Sequence, residues 1–182
     1  MQLDIASASP AEIYKVLVNT VTPRPIAWVV TEDDDGTRNA APHSFFNVVC
    51  GNPPILMVGC GATGPRGSAK DTARLIRKTG EFVIAMVGEA DAEAMNLTAV
   101  ECPPEVDELA LAGIATRPAA HVRPPLVASA PVNFECRTFE LIELPTGATI
   151  VLVARTGGAD GYIRSSDAFL MERHVWPLGP GH

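Results

Sequence analysis

The stretch TPRPIAWVVTEDDDGTRNAAPHSFFN, residues 22–47, contains the strongest local signals for the fold. The apolar run at 26–31 (IAWVVT) is typical of a buried strand. Asp35-Gly36, at the end of an acidic run, is a strong hairpin signal, so residues 37–41 are expected to return as the partner strand. These residues predict an antiparallel pair whose apolar strand lies inside the fold.

Further short strands and turns extend this pattern in both directions. Ser9, Pro10 and Glu12 predict a capped helix that ends before the prolines of TPRP. Strands joined mostly by hairpins and loops, with helices at the periphery, favour a mainly β fold, an antiparallel β-barrel, over a doubly wound parallel sheet. The remaining expected segments are strands at 55–58, 81–87, 131–144 and 147–155, a Gly-rich loop at 59–67, a helix from Ser68 to Thr79, helical structure over 88–113 and a Pro-rich connection over 114–130.

Length and composition restrict the class of protein. A chain of 182 residues suits one domain, and we treat residues 1–182 as a single unit. Its 47% hydrophobic residues exclude disorder as the main state, and its net charge of −7 argues against nucleic-acid binding, which needs a basic face. No membrane span or secretory signal is recognised, and the four cysteines are widely spaced. We therefore expect a soluble cytoplasmic protein with reduced thiols.

Several chemistries fit the sequence poorly. GCGATG at 59–64 matches a dinucleotide fingerprint, but Pro65 and Gly67 follow it and delay the helix to Ser68, so we interpret the motif as a Gly-rich loop. The acidic run Glu32–Asp35 lacks the spacing of a calcium loop and is interpreted as a solvated hairpin tip. The four histidines lack metal-ligand spacing, so no metal site is expected. No GxSxG elbow supports hydrolysis.

Polar donors stand at the ends of several predicted elements. Arg24 begins a strand, Ser44 follows a proline expected to break one, and Lys70 and Thr72 lie in the first turn of a helix. Unpaired N–H groups and the helix dipole favour an anion at such a helix start. The residues could together hold a phosphate, or they could be three unrelated surface features. Spacing alone leaves both alternatives open.

The order of these motifs resembles the flavin reductase-like family, an FMN-binding split β-barrel group that includes flavoredoxins and the reductase components of two-component monooxygenases. The resemblance covers roughly residues 10–155 and implies an antiparallel split barrel of Greek-key type. The motifs that carry it are TPRPIAWVVT at 22–31, DG at 35–36, NAAPHSFFN at 39–47, NPP at 52–54, KDT at 70–72, EFVIAMV at 81–87, MN at 95–96, PPEVDELALAG at 103–113 and VNFEC at 132–136.

The resemblance implies a homodimer with one FMN per subunit, bound near the dimer interface. Ser44, Lys70 and Thr72 are expected near the phosphate, whereas Asp71 has capping its own helix as the alternative role. No catalytic side chain is assigned, because the flavin carries the chemistry. The implied cofactor-binding residues are Arg24, Pro25, Ile26, Ala41, Pro42, His43, Ser44, Phe45, Phe46, Asn47, Ser68, Lys70, Asp71 and Thr72. Trp28, Phe45 and Phe46 are each expected in the core rather than stacked on the flavin.

Three functions follow from the resemblance. The first is an NAD(P)H:flavin oxidoreductase, with NAD(P)H as the electron donor and a partner monooxygenase as a candidate recipient of reduced flavin. The second is an FMN-binding electron carrier of flavoredoxin type, favoured by the absence of histidine from ATIVLVAR at 148–155, where family reductases often carry one. The third is a split-barrel binding module without cofactor. The end of the chain, WPLGPGH at 176–182, lacks the Arg and Tyr of the usual family closing segment.

Overall fold

The structure is a computed structural model that describes residues 3–61, 71–100, 102–144 and 149–156, the last range as backbone. These residues form nine strands, four α-helices and a 3-10 turn at Glu89–Asp91. The helices are α1 (Pro10–Thr20), α2 (Asp71–Thr79), α3 (Ala92–Leu97) and α4 (Glu108–Leu111). The strands are β1 (Ala27–Glu32), β2 (Arg38–His43), β3 (Phe46–Gly51), β4 (Pro54–Gly61), β5 (Glu81–Met86), β6 (Thr116–Arg117), β7 (Leu126–Val127), β8 (Asn133–Glu143) and β9 (Thr149–Thr156).

Within the described residues, seven strands form one antiparallel sheet in the order β2-β1-β5-β8-β9-β4-β3. The chain places β5 beside β1 rather than beside β4, and β2 comes close to β4. The sheet therefore curls around its own interior, while β6 and β7 form a separate pair. The predicted fold class, mainly antiparallel β with peripheral helices, is confirmed.

Burial on both faces explains the unbroken apolar sequence of β1. Val29 points into one buried cluster together with Phe82, Ile84 and Val58, whereas its neighbour Trp28 points into the other. A strand covered on one face only would alternate apolar and polar residues, so a continuous apolar run indicates that both faces are covered. α2 packs over the first cluster, and α4 with the β6–β7 pair over the second.

The β1–β2 and β3–β4 hairpins differ from the sequence prediction. The strand at 46–51 was missed, because its residues are mostly exposed and show no buried alternation. β2 continues through Pro42, which pairs with Trp28, so the expectation that this proline breaks the strand was wrong. β2 is an edge strand, where a missing N–H can face away from the sheet. β4 extends to Gly61, so the first three residues of the predicted Gly-rich loop belong to the strand.

Other predicted segments are confirmed with changed limits. Ser9 caps α1 in a reciprocal capping box with Glu12, as predicted. The region 88–113 contains only short helical segments, and the connection over 114–130 includes β6 and β7. All four cysteines are free thiols, of which Cys60 and Cys136 are buried. Within the described ranges, no helix is both long and apolar enough to cross a bilayer.

Candidate functional site

Buried polar side chains meet under the first turn of α2. Thr72 Oγ1 lies 3.4 Å from Asn39 Nδ2 and 3.4 Å from His43 Nε2. Asn39 and His43 are four residues apart on β2, so they point to the same face of the strand, towards α2. All three residues are buried, with Thr72 only 2% exposed. A hydroxyl with two long hydrogen bonds is fixed in place but retains capacity for a stronger partner.

Glu108 belongs to the same polar layer. Its Oε2 accepts a hydrogen bond from the backbone N–H of Ala40 at 3.3 Å, next to Asn39. The carboxylate lines a small hollow between β2, α2 and α4 and is 8% exposed. Burial is the largest of the effects that raise the pKa of Glu108 to about 7, and the carboxylates of Asp71 and Asp107 add to it. At neutral pH the protonated and ionised forms of Glu108 are therefore close in free energy.

The two arginines of the described residues that line this hollow are already paired. Arg74 contacts Asp71 at 3.1 Å and Asp33 at 3.7 Å. Arg38 contacts Glu32 at 3.2 Å. Among the residues that the structure describes, Glu108 forms no ion pair. Among the described residues, the hollow thus contains a buried carboxylate without an ion-pair partner, beside the first turns of α2.

Strand register brings a second segment to this end of the sheet. Ala27 at the start of β1 pairs with His43 at the end of β2, so the TPRP segment lies beside residues 43–45. Gly59 on β4 donates its N–H to the carbonyl of Phe45 at 2.7 Å. A Cβ at Gly59 would lie 2.9 Å from the Cβ of Phe45, so this approach requires glycine.

Arg24 connects this segment to α1. Its Nη1 donates to the carbonyl of Val18 at 2.7 Å and also to the carbonyl of Val21, which are groups left unpaired at the end of the helix. Its Nε is buried and has no hydrogen-bond partner among the described residues. Such a buried donor is the kind of atom that a bound ligand satisfies.

The sequence model of the flavin reductase like domain matches residues 19–170. The chain belongs to the flavin reductase-like family. The match covers well over half of the chain and includes every residue of the site described above.

Individual relatives agree with this family membership. An uncharacterised protein of Halalkalibacterium halodurans is 39% identical over 144 residues, 79% of this chain and 68% of its own length. The crystal structure of nitrilotriacetate monooxygenase component B from Bacillus cereus superposes with a TM-score of 0.86 at 29% identity, covering 95% of this chain and 84% of that one. Pseudomonas fluorescens 2-nitrobenzoate 2-nitroreductase NbaA gives 0.77 at 25% identity, covering 87% and 75%. The fold is the split barrel of solved flavin reductase-like proteins.

A flavin fits the side chains of this family member. The start of a helix, where backbone N–H groups have no partner within the helix, and the hydroxyl of Thr72 suit a phosphate. The buried Nε of Arg24 suits a polar edge, and Phe45 offers a half-exposed aromatic surface. The Phe45 ring lies 6.3 Å from that of Tyr14 at an angle of 55°. The described residues therefore offer polar groups beside the first turn of α2 and an aromatic surface at Phe45.

The structure places the predicted site residues in different environments. Thr72 and His43 are brought together, and Ser44 and Phe45 follow directly at the end of β2. The carboxylate of Asp71 accepts from Arg74 in its own helix, which agrees with a local role. The remaining predicted residues are Pro25 and Ile26 before β1, Ala41 and Pro42 on β2, Phe46 buried at the start of β3, and exposed Asn47 on β3, whereas Ser68 and Lys70 lie outside the described residues.

Two aromatic predictions are confirmed and one is wrong. Trp28 is fully buried and its Nε1 donates to Thr98 Oγ1 at 2.9 Å, and Phe46 is also buried. Phe45 is 39% exposed, because the bend between β2 and β3 turns it towards α1 instead of the core.

Two residues of the polar layer were missed in the sequence. Asn39 and His43 are four residues apart. Because side chains alternate between the two faces of a strand, the sequence could have placed both on one face. Glu108 directly precedes the buried Leu109 in a short helix. An acidic residue beside a core residue is a signal of a buried charge, but only the tertiary fold shows that it lies beside α2.

Proposed function

We propose that this protein is an FMN-binding oxidoreductase that receives reducing equivalents from NAD(P)H. The observation that supports it most is the polar layer of Asn39, His43 and Thr72 at the start of α2, beside the ends of β1 and β2. Family membership supports a flavin and an oxidoreductase role. In this proposal the layer lies beside the phosphate, the group that distinguishes FMN from an uncharged flavin.

The first turn of α2 is the proposed phosphate site. Backbone N–H groups there point out of the helix, and the positive end of the dipole favours an anion. Thr72 adds a hydroxyl whose position is fixed by Asn39 and His43. Lys70, which directly precedes α2 in the sequence, adds a point charge in this proposal, and Ser44 and Ser68 add hydroxyls.

The isoalloxazine ring is assigned to the surface formed by residues 24–26 and 43–45. When bound, FMN supplies the redox chemistry, accepting a hydride from NAD(P)H and passing electrons on. Arg24 offers its buried Nε to a polar edge of the ring, and Phe45 shields one side from water. No side chain has to act as a general base, because the protein's task is to bind and orient.

We propose that a second copy of the chain packs against α1. No residue of α1 is buried, although Tyr14 and Leu17 are apolar and 59% and 51% exposed. Val48 on the edge strand β3 is 65% exposed. Exposed apolar side chains in such numbers mark interaction surfaces. Because Phe45 contacts Tyr14, a homodimer through α1 would also cover the flavin site.

The proposed recipient of the electrons is a partner monooxygenase in the cytoplasm. The similarity to nitrilotriacetate monooxygenase component B over 95% of this chain supports a reductase component. An FMN-binding electron carrier, reduced by a protein donor, is the second candidate. The sequence ATIVLVAR at 148–155, without histidine, favours it.

An absorption spectrum tests these proposals. The protein is freed of unbound flavin and recorded before and after anaerobic addition of NADH and, separately, NADPH. Flavin bands that bleach within seconds support the reductase and identify the donor. Bands that persist until dithionite is added overturn the reductase in favour of the carrier. A protein that stays colourless after soaking in FMN overturns both.

A further inference from the structure

We propose that Glu108 is a proton-coupled residue of the phosphate site, which takes up a proton from solvent when the phosphate of FMN binds at the start of α2. The inference rests on the proposed function, because the phosphate belongs to the proposed cofactor. It adds a residue that neither the motifs nor the family resemblance assigned to the site.

The geometry links Glu108 to the phosphate site through β2. Glu108 Oε2 accepts from the N–H of Ala40, and the adjacent Asn39 donates to Thr72 in the first turn of α2. Asn39, Asp71 and Glu108 line the same hollow. The carboxylate thus lies behind the helix end where the anion is proposed to bind, in surroundings that exclude most of the solvent.

Among the described residues, charged groups from α2, α4, β2 and the β1–β2 turn lie around this carboxylate, and the titratable His43 of β2 contacts Thr72 at the phosphate site. Arg74 and Asp71 come from α2, Arg38 from β2 and Asp33 from the β1–β2 turn, and Asp107 directly precedes Glu108. Both arginines are paired with other carboxylates. A phosphate would therefore add negative charge to a region where Glu108 has no ion-pair partner among the described residues.

Protonation of Glu108 removes the negative charge of its carboxylate and therefore the repulsion between that carboxylate and the phosphate. The pKa of Glu108 is about 7 before any anion binds, so a proton is readily gained at neutral pH. A nearby anion raises the pKa of a carboxyl group further. By linkage, the same coupling weakens anion binding as the pH rises above 7, because the proton is then lost. FMN affinity should fall with rising pH, and riboflavin affinity should not.

The experiment measures FMN and riboflavin dissociation constants from about pH 7 to about pH 9, above the second ionisation of a phosphate monoester near pH 6. Three proteins are compared: the wild type, Glu108→Gln and the control Glu105→Gln, which removes the same charge from an exposed neighbouring position. For one pKa unit of coupling, wild type and control should lose about fivefold in FMN affinity over this range, because about half of the unliganded carboxyl groups are already ionised at pH 7. Glu108→Gln should lose little, and riboflavin binding should stay level in all three proteins.

A second measurement does not depend on the variant folding. Calorimetry of wild-type FMN binding near pH 7.5 in two buffers of different ionisation enthalpy should show uptake of a fraction of a proton, and riboflavin should show none. Equal pH profiles for wild type and Glu108→Gln, or no uptake with FMN, overturn the inference while FMN binding itself stands. Absence of FMN binding at every pH overturns the proposed function, and the inference with it.

Discussion

The two ends of α2 differ in how their polar groups are satisfied. At the C-terminal end, Lys78 forms ion pairs with Asp33 and with Asp34, the latter at 3.2 Å, and Arg77 contacts Glu143 at 2.9 Å. At the N-terminal end, Thr72 has two long hydrogen bonds, and Glu108 nearby has no ion pair among the described residues. Among the described residues, the basic side chains of the C-terminal end are paired, whereas the hydroxyl of Thr72 at the N-terminal end retains capacity for a ligand.

The C-terminal end also corrects the interpretation of the acidic run. Asp33 lies in a turn that was predicted to be a solvated tip, but its side chain is only 18% exposed. Hydrogen bonding to Lys78 is the largest cause that lowers the pKa of Asp33, and contact with Arg123 is the largest that lowers the pKa of Asp34. The ion pairs of Asp33 and Asp34 with Lys78 therefore join the β1–β2 turn to the C-terminal end of α2. Because the side chain of Lys78 is 47% exposed, each of these pairs contributes little to stability.

Lys70→Ala and Lys78→Ala should separate the two ends most clearly. Lys70 precedes α2 in the sequence and is proposed to contact the phosphate, so its loss should cost about 1.5–3 kcal/mol of FMN binding, roughly 10- to 150-fold, with little change for riboflavin. Lys78→Ala, the matched control at the other end, should leave both affinities unchanged. Fluorescence titration measures them, and an equal loss for FMN and riboflavin in Lys70→Ala would reject the assignment.

Thr72→Val should destabilise the polar layer. The substitution keeps the side-chain shape but removes the hydroxyl that Asn39 donates to, leaving a buried amide without that acceptor. We expect a loss of about 1–2 kcal/mol in the free energy of unfolding, measured with urea. Thr72→Ser retains the hydroxyl and serves as the control. If the Thr72→Val protein is as stable as the Thr72→Ser protein, the 3.4 Å contacts of Thr72 with Asn39 and His43 do not stabilise the N-terminal end of α2.

Glu108→Gln should stabilise the protein without ligand at neutral and higher pH. The pKa of Glu108 is raised to about 7 in the folded protein, so ionisation costs stability as the pH rises from about 4.5 to about 7. The variant avoids this loss and should melt about 2–4 °C higher at pH 8, with a difference that shrinks towards pH 5. Thermal unfolding across this range measures it. A variant that melts lower than wild type at pH 8 would show that the carboxylate is compensated.

Lys78→Ala should have the smallest effect on stability. The side chains of Lys78 and Asp34 are 47% and 62% exposed, so the loss should be below about 1 kcal/mol at low salt and should shrink as salt is added. Urea unfolding at two ionic strengths measures it. A loss of several kcal/mol that salt does not change would contradict a surface role for this end.

The sequence predicted those elements of the fold whose formation depends on a local residue pattern. The apolar run of β1 and the capping signals of Ser9 depend on local pattern, and both are confirmed. β3 was missed because an edge strand with exposed Val48 and Val49 has no buried face to impose alternation. The continuation of β2 through Pro42 depends on its position at the sheet edge, which only the whole topology reveals.

The site was predictable only in part, for a similar reason. Thr72 and His43 appear in motifs, but their contact joins residues 29 positions apart and follows from the packing of α2 on β2. Glu108 comes to the same layer from α4, 68 residues after Ala40. Local pattern cannot show such convergence, nor that both arginines of the hollow are already paired.

The central claim is that the start of α2 holds the phosphate of a flavin. The most direct test is a fluorescence titration of the wild-type protein, freed of bound flavin, with FMN and with riboflavin at about pH 7. The account predicts that FMN binds at least about tenfold more tightly, because only FMN places a charge at the helix end. Equal affinity for the two flavins, or no binding of either, would contradict it.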